Sequence, residues 1–209
     1  MYRIILASES PRRKEIMDQM GIAYETMPAN VAEEASGDGP SDMVKALAKL
    51  KARNVNIQTK KLQSGEEGLI VIGADTVVYH NGKILGKPKD REDAVKMLEA
   101  LSGDIHEVYT GVCIIISRNK QEHGDNVKDE EIVFSVSTKV AVNPLTREQI
   151  EDYVDTKEPF DKAGAYAIQG GFGIYIKEIH GDYYNVVGFP IARIYEELLA
   201  HGINIKKIK

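Results

Sequence analysis

The sequence predicts an α/β fold, because apolar runs typical of buried strands are separated by amphipathic stretches with helix start and stop signals. The strand-like runs cover residues 2–7, 69–78, 105–117 and 131–142. Helices and hairpins are mixed along the chain and do not alternate regularly, so we expect a mixed α/β chain.

The first half of the chain carries clear local signals. After the strand at 2–7, Ser10 suits a helix N-cap and Pro11 a first helical position, and Gly21 ends that helix. A short strand is expected near 23–27 and a second helix from about residue 41. The polar residues 56–68 predict a surface loop. The strand at 69–78, interrupted by Ala-Asp-Thr, precedes Asn-Gly at 81–82, a hairpin turn signal.

The second half of the chain also contains clear signals for helices and strands. Asp90 suits the N-cap of a helix that Gly103 closes. Two long strands follow at 105–117 and 131–142. Thr146 and Gln149 have the spacing of a capping box, and residues 190–200 form the last amphipathic helix.

Composition narrows the class of protein. The chain has 209 residues, 43% of them hydrophobic, and a net charge of −5. These values predict one large domain over residues 1–209, or two small lobes that share a cleft, and argue against a general nucleic-acid binder, which needs a basic face. No apolar run approaches the ~20 residues of a membrane span, and no secretory signal is expected. The single cysteine, Cys113, is interpreted as a core strand residue in a reducing, cytoplasmic compartment.

The stretch ILASESPRR, at 5–13, predicts an anion site. A strand-to-helix turn offers unpaired backbone N–H groups and the positive end of the helix dipole. Ser8 and Ser10 add hydroxyl groups, and Arg12 and Arg13 lie in the first helical turn, where they oppose the dipole unless an anion is near. The alternative is a pair of solvated arginines.

Asp75 is the second unusual residue, because it follows the apolar run LIVIGA where burial is expected. A buried carboxylate is costly unless it is paired or binds a metal. It is therefore either a metal ligand or general base at a strand end, or a carboxylate bonded to a neighbouring turn. Glu33 and Glu34 form either a Mg²⁺-binding pair or part of a solvated acidic loop. Lys51, on the predicted second helix, points either inward or to solvent.

Other motifs carry less information. Lys87 in GKPK and Lys162 in EPFDKAGAY are by themselves most simply solvated loop lysines. The segment GKILGK at 82–87 has the wrong spacing for a P-loop, and the glycines at 170–173 do not match the dinucleotide-binding fingerprint. The five histidines lack the spacing of a zinc site.

Seven motifs taken together resemble the Maf family of septum-formation-inhibitor-like nucleotide pyrophosphatases. They occur in this order: LASESPRR (6–13), LKA (50–52), GADTVV (73–78), GKP (86–88), LSGDIHEVYTG (101–111), EPFDKAGAYAIQG (158–170) and NVVGFP (185–190). The resemblance covers nearly the whole chain.

This resemblance implies a mixed-sheet, two-lobed fold of the inosine-triphosphate-pyrophosphatase type (Maf/HAM) around one central cleft. It implies hydrolysis of nucleoside triphosphates to the monophosphate and pyrophosphate, with Mg²⁺ or Mn²⁺ as cofactor. Asp75 matches the family's proton acceptor and, with Glu33, its metal site. The other matches to cleft positions are Ser8, Arg13, Lys51, Lys87 and Lys162.

Base choice is implied by three further positions. Arg12, Thr76 and Gln169 resemble the dTTP/UTP branch of the family and differ from its 7-methyl-GTP branch. Gln169 offers a donor and an acceptor, which suits the O4 and N3–H edge of thymine or uracil. Modified pyrimidine nucleotides are equally compatible substrates, and relatives suggest a homodimer. The alternative function is a nucleotide-binding regulator of cell division or septation with little turnover.

Overall fold

The computed structural model describes residues 2–31, 37–62, 67–118 and 128–208, and it shows a seven-stranded mixed sheet with helices on both faces. The predicted α/β class is confirmed. The strands are β1 (Tyr2–Ala7), β2 (Glu25–Thr26), β3 (Gly68–His80), β4 (Lys83–Leu85), β5 (Ile105–Ser117), β6 (Glu130–Val142) and β7 (Ile176–His180). The helices are α1 (Pro11–Gln19), α2 (Pro40–Leu62), α3 (Arg91–Leu101), α4 (Arg147–Asp155), α5 (Tyr183–Val187) and α6 (Ile191–Ala200). Within these ranges, no helix combines the length and apolarity that a membrane span requires.

The sheet has a gap along one edge of its longest central strand. Its strand order is β2-β1-β3-β5-β6-β7, with β1 parallel to β2 and β3 and the remaining pairs antiparallel. Strand β5 pairs with one edge of β3 from Leu69 to Tyr79. On the other edge, β1 ends where Ala7 pairs with Gly73, and β4 begins pairing only at Val78. Among the described residues, no strand therefore pairs with residues 74–77 on that edge, at the carboxyl end of β1, where α/β sheets commonly bind ligands.

Three apolar clusters hold the helices to the sheet. On one face, α1 and α6 pack in a first cluster that includes Ile16 and Leu198, and α3 and α4 pack in a second cluster that includes Leu98 and Tyr153. Helix α2 covers the opposite face, where Ala48 belongs to the third cluster. The gap at residues 74–77 lies along the same strand that contributes to all three clusters, so helices from both faces reach it.

Two glycines let α2 lie directly on the sheet. A Cβ atom at Gly73 would come within 2.5 Å of the Ala48 carbonyl oxygen, and one at Gly111 within 2.3 Å of the Val44 backbone. No other residue fits at such a separation. This close approach brings the middle of α2, including Lys51, to the edge of the gap.

Most of the local sequence signals are confirmed. Ser10 occupies the N-cap position of α1, but its side chain makes no capping hydrogen bond. Asp90 caps α3 by accepting from the Asp93 N–H, and Thr146 and Gln149 form the capping box of α4. Asn81 and Gly82, with φ of 47° and 78°, make the two-residue turn between β3 and β4. The strand near 23–27 is only two residues long.

The prediction of a loop at 56–68 is wrong for its first half, because α2 continues to Leu62. Several polar side chains there donate hydrogen bonds to protein partners. Thr59 is buried and its hydroxyl donates to the Val55 carbonyl at 2.9 Å, while the Asn56 amide donates to Asp129 at 2.9 Å. Residues 63–66 lie outside the described residues.

The predicted interruption of the strand at Ala-Asp-Thr is also wrong. Strand β3 runs without a break through Asp75, which pairs with Gly111 of β5. Asp75 is therefore not at the end of its own strand. It lies beside the end of the neighbouring strand β1, which is what opens it to the gap.

Candidate active site

A pocket of about 640 Å³ opens at the gap in the sheet. Nine of the ten predicted site residues line it: Ser8, Arg12, Arg13, Lys51, Asp75, Thr76, Lys87, Lys162 and Gln169. The tenth, Glu33, lies with Glu34 outside the described residues. Of the described lining side chains, five are basic and three acidic, although the whole chain has a net charge of −5. A local excess of positive charge in an acidic protein suits an anionic ligand.

Arg13 is fixed in the wall of the pocket. Its residue is only 9% exposed, so it is not the solvated arginine that the sequence left possible. The guanidinium Nε donates to the Gly188 carbonyl at 2.8 Å, and Nη1 donates to the Ser8 hydroxyl at 3.0 Å. Ser8 in turn accepts from the Ser10 N–H at 3.2 Å. The strand-to-helix turn thus holds a preorganised cation beside the N-terminus of α1.

A directional chain of hydroxyl groups orients the third guanidinium nitrogen. Arg13 Nη2 donates to Thr76 Oγ1 at 3.2 Å, and Thr76 and Thr110 hydroxyls are 2.9 Å apart. Because the Thr110 hydroxyl donates to the Asn185 carbonyl at 2.9 Å, the proton between the two threonines must come from Thr76. The donor of Thr76 is therefore used inside the protein, and any contact with a ligand would involve its remaining lone pair or methyl group.

Gly188 also holds Arg13 in place, through its backbone carbonyl. It follows α5 with a φ of 106°, and a Cβ there would approach Thr76 Oγ1 to 3.0 Å. Left-handed backbone and close packing together require glycine at this position. The motif NVVGFP, which contributes this glycine, therefore closes the pocket behind Arg13.

Lys51 and Asp75 form an ion pair inside the pocket. Lys51 Nζ lies 2.7 Å from Asp75 Oδ1, and the two side chains are 12% and 13% exposed. The structure thus settles the orientation of Lys51, which points inward. It also explains how a carboxylate is accommodated at residue 75, since its partner offsets part of the cost of desolvation.

At the rim, one carboxylate contacts two of the predicted cations. Asp161 lies 3.8 Å from Arg12 and accepts a hydrogen bond from Lys162. Partial burial opposes ionisation of Asp161, but the hydrogen bond and charge of Lys162 outweigh it and lower the pKa of Asp161. Lys87 is exposed in the loop after β4, whose Gly86 carbonyl accepts from the Gly164 N–H at 3.0 Å.

Tyr166 forms an inner wall of the pocket. Its hydroxyl is 2.7 Å from His106 Nε2, and both residues are buried. Burial, above all, lowers the pKa of His106 to about 4, so the imidazole is neutral near pH 7. This wall is polar but uncharged, in contrast to the mouth of the pocket.

The oxygen donors of the pocket fit a hard divalent cation shared with a ligand. Mg²⁺ is usually held by one or two carboxylates together with substrate phosphates. Asp75 supplies a recessed carboxylate, and Glu9 and Asp161 also line the pocket. Over the ranges that the structure describes, no three His, Cys, Asp or Glu side chains are grouped to hold a metal by themselves.

Sequence reasoning missed several residues of the site. Asp161, Tyr166 and Gly188 lie within motifs that were recognised, but their contacts with Arg12, His106 and Arg13 depend on the packing of distant segments. Thr110 and Asn185 also lie within recognised motifs, but nothing local marked them as site residues, since a threonine in a strand and an asparagine in a helix are ordinary. Only the strand register, which places Thr110 opposite Thr76, shows their connection.

The fold and the pocket together define an α/β ligand-binding protein whose site is arranged for a polyanion at a strand-to-helix turn. Residues 3–201 match the family model described as Maf-like protein, and the chain belongs to that family.

Relatives of nearly the same length carry a common name. The "dTTP/UTP pyrophosphatase" of Lachnoclostridium phytofermentans is 46% identical over 207 residues, covering 99% of each chain. Its namesake in Agathobacter rectalis is 44% identical and covers 98% of this chain and 100% of its own. Among solved structures, the Staphylococcus aureus Ham1 protein is 15% identical, with a TM-score of 0.34 over 66% of this chain and 72% of that one.

Proposed function

We propose that this protein is a nucleoside triphosphate pyrophosphatase that converts dTTP and UTP to the monophosphate and pyrophosphate. The observation that carries the proposal is one pocket in which a fixed arginine at a helix N-terminus lines the same cavity as a lysine-paired carboxylate. The name shared by the relatives supplies the substrate class. Nucleotides that carry a small substituent at position 5 belong to the same class, since one methyl group changes binding by only ~1–3 kcal/mol.

The strand-to-helix turn binds the triphosphate. Backbone N–H groups at the start of α1 and the positive end of its dipole attract the phosphate oxygens. The guanidinium of Arg13 is already oriented, so it stabilises the charge that grows in the transition state without reorganising. Lys51 and Lys87 add positive charge at other points of the pocket.

Asp75 orients the attacking water and accepts its proton. Lys51 engages Oδ1, which leaves Oδ2 as the acceptor for the water. The water oxygen forms a bond to the α-phosphorus while the bond from that phosphorus to the oxygen bridging to the β-phosphorus breaks. Pyrophosphate leaves with the bonding electron pair, and the nucleoside monophosphate remains.

A divalent cation would be held by Asp75 and Glu33 together with the substrate phosphates. When bound, Mg²⁺ or Mn²⁺ supplies Lewis-acid polarisation of phosphoryl oxygens.

The direct test is product analysis with a panel of nucleoside triphosphates in the presence of Mg²⁺. We expect monophosphate and pyrophosphate from dTTP and UTP, with ATP and GTP spared. Diphosphate and free phosphate would place the attack at the γ-phosphorus and contradict the assigned position of the water. Tight binding without turnover would favour a nucleotide-binding regulator instead.

Replacing Gln169 with glutamate should reduce kcat/KM for dTTP and UTP by at least about tenfold. The carboxylate of Gln169→Glu has no donor for the O4 carbonyl of thymine or uracil. It does have acceptors for the amino group of cytosine, so the preference for dTTP over dCTP should fall further than total activity. The measurement is kcat/KM for both nucleotides in the same preparation.

Gln149→Glu is the matched control. Gln149 is exposed and caps α4, away from the pocket, and glutamate serves equally well in a capping box. We expect this variant to keep the activity of the parent protein. Unchanged dTTP hydrolysis in Gln169→Glu would refute the role of Gln169 in base selection.

A further inference from the structure

The turn that carries Gln169 is held at both ends by two residues outside the pocket lining. Gln169 is exposed and occupies the third position of the turn at residues 167–170, in which the Gly170 N–H donates to the Ala167 carbonyl at 3.1 Å. An exposed side chain of this kind takes its position from the backbone beneath it. What fixes the turn therefore decides where the amide of Gln169 lies.

Tyr153 and Glu158 form a continuous hydrogen-bonded bridge across the base of the turn. The Tyr153 hydroxyl accepts from the Ala167 N–H at 3.1 Å and donates to Glu158 Oε1 at 2.8 Å. The other carboxylate oxygen, Oε2, accepts from the Gly171 N–H at 3.1 Å. The bridge thus binds the residue that opens the turn and the residue that follows it.

The bridge is anchored in the core at Tyr153, while its Glu158 end is partly exposed. Tyr153 belongs to α4, is only 4% exposed, and its ring lies 5.1 Å from that of Phe172. Burial, together with the hydrogen bond to Glu158, raises the pKa of Tyr153, so the hydroxyl keeps the proton that it donates. A Cβ at Gly170 would come within 1.9 Å of Glu158 Oε1, so the turn is packed directly against the carboxylate.

We propose that Tyr153 and Glu158 are positioning residues for base selection, which act by fixing the turn that presents Gln169 to the pyrimidine edge. This inference rests on the proposed hydrolysis of dTTP and UTP. Neither residue lines the pocket, so each acts on specificity through the turn and not through contact with the nucleotide. Sequence position gives no hint of this role, because Tyr153 lies 14 residues before its partner Ala167.

The test is the ratio of kcat/KM for dTTP to that for dCTP in Tyr153→Phe. This variant keeps the ring packed on Phe172 but loses the hydroxyl that joins the two ends of the turn. We expect the ratio to fall about fivefold to tenfold, the effect of one buried hydrogen bond, because Gln169 is no longer held to one position. The kcat for dTTP should stay within about twofold, since the phosphate-binding groups are untouched.

Glu158 provides a graded series. Glu158→Gln keeps one acceptor oxygen, which serves either the Gly171 N–H or the Tyr153 hydroxyl, so we expect a ratio between those of the parent protein and Tyr153→Phe. Glu158→Ala removes both and should match Tyr153→Phe. Tyr109→Phe is the control for hydroxyl loss, because Tyr109 also donates to a glutamate, Glu107 at 2.8 Å, but lies in β5 and not at the turn that carries Gln169.

The outcomes separate this inference from the proposed function. Affinities of dTTP and dCTP are also measured by calorimetry in an Asp75→Asn background, where hydrolysis should be at least ~100-fold slower, so a ratio of affinities is obtained independently of turnover. A ratio unchanged in Tyr153→Phe but lowered in Gln169→Glu would overturn the role of the bridge and leave the proposed function standing. A parent protein that shows no preference for dTTP by either readout would overturn both.

Discussion

Replacing Asp75 with asparagine is expected to lower the rate of pyrophosphate release from dTTP at least ~100-fold. Asparagine has the same size and keeps a carbonyl oxygen near Lys51, but it cannot take the proton of the attacking water. The substitution also leaves the Lys51 ammonium, now 2.7 Å from a carboxylate, beside a neutral group in a recessed site. Both effects act on the chemical step, so kcat should fall more than KM rises.

The measurement is steady-state kcat and KM for dTTP, with the unfolding temperature as a check on the fold. Asp155→Asn is the control, because Asp155 also forms an ion pair, with Arg91 at 2.8 Å, but on the exposed surface. That variant should hydrolyse dTTP at the parent rate, since exposed pairs contribute ~0–1 kcal/mol. A near-normal rate in Asp75→Asn would remove Asp75 from the role of proton acceptor.

Local chemistry explains which parts of the fold could be predicted. Caps and tight turns depend on residues within three or four positions of one another, as in the Thr146 and Gln149 capping box or the Asn-Gly hairpin at 81–82. These signals were correct. The end of α2 was not, because its polar last turns are stabilised from a distance: the partner of Asn56 is Asp129, 73 residues along the chain.

In the candidate site, too, residues with a local signal could be predicted and residues with only long-range contacts could not. Arg13 and Asp75 attracted attention because each breaks a local rule, a cation at a helix N-terminus and a carboxylate in an apolar strand. Residues that position other groups fit their local secondary structure and so do not stand out in the sequence. Thr110 and Tyr153 are suitable for the strand and helix in which they lie, and their roles follow only from the register of β3 with β5 and from the packing of α4.

The sheet gap could not be predicted for a related reason. Each strand that borders it was recognised or nearly so, but the gap exists because β1 and β4 pair with different parts of the same edge of β3. At this gap, side chains from both faces of β3 reach the pocket. Asp75 points to the face covered by α2, where it pairs with Lys51. Thr76 points to the opposite face, where it lies beside Arg13 and Gly188.

Replacing Arg13 with glutamine should lower kcat/KM for dTTP ~100-fold, the typical effect of losing a preorganised charge-stabilising donor. Glutamine can still donate to the Gly188 carbonyl or the Ser8 hydroxyl, but it carries no positive charge. Arg91→Gln is the matched control, since it removes the same charge from an exposed ion pair. Parent-like hydrolysis by Arg13→Gln would mean that the Arg13 charge does not stabilise the transition state.

Thr110→Val separates the charge of Arg13 from its orientation. Valine has the shape of threonine but ends the hydroxyl chain, so Thr76 loses its acceptor and no longer holds Arg13 Nη2 in one direction. We expect kcat to fall about fivefold, the value of one hydrogen bond, with a smaller change in KM. Thr110→Ser retains the chain and should restore the rate. If valine and serine variants hydrolyse dTTP equally fast, the orientation of Arg13 does not depend on the threonines, which then serve to join β3 to β5.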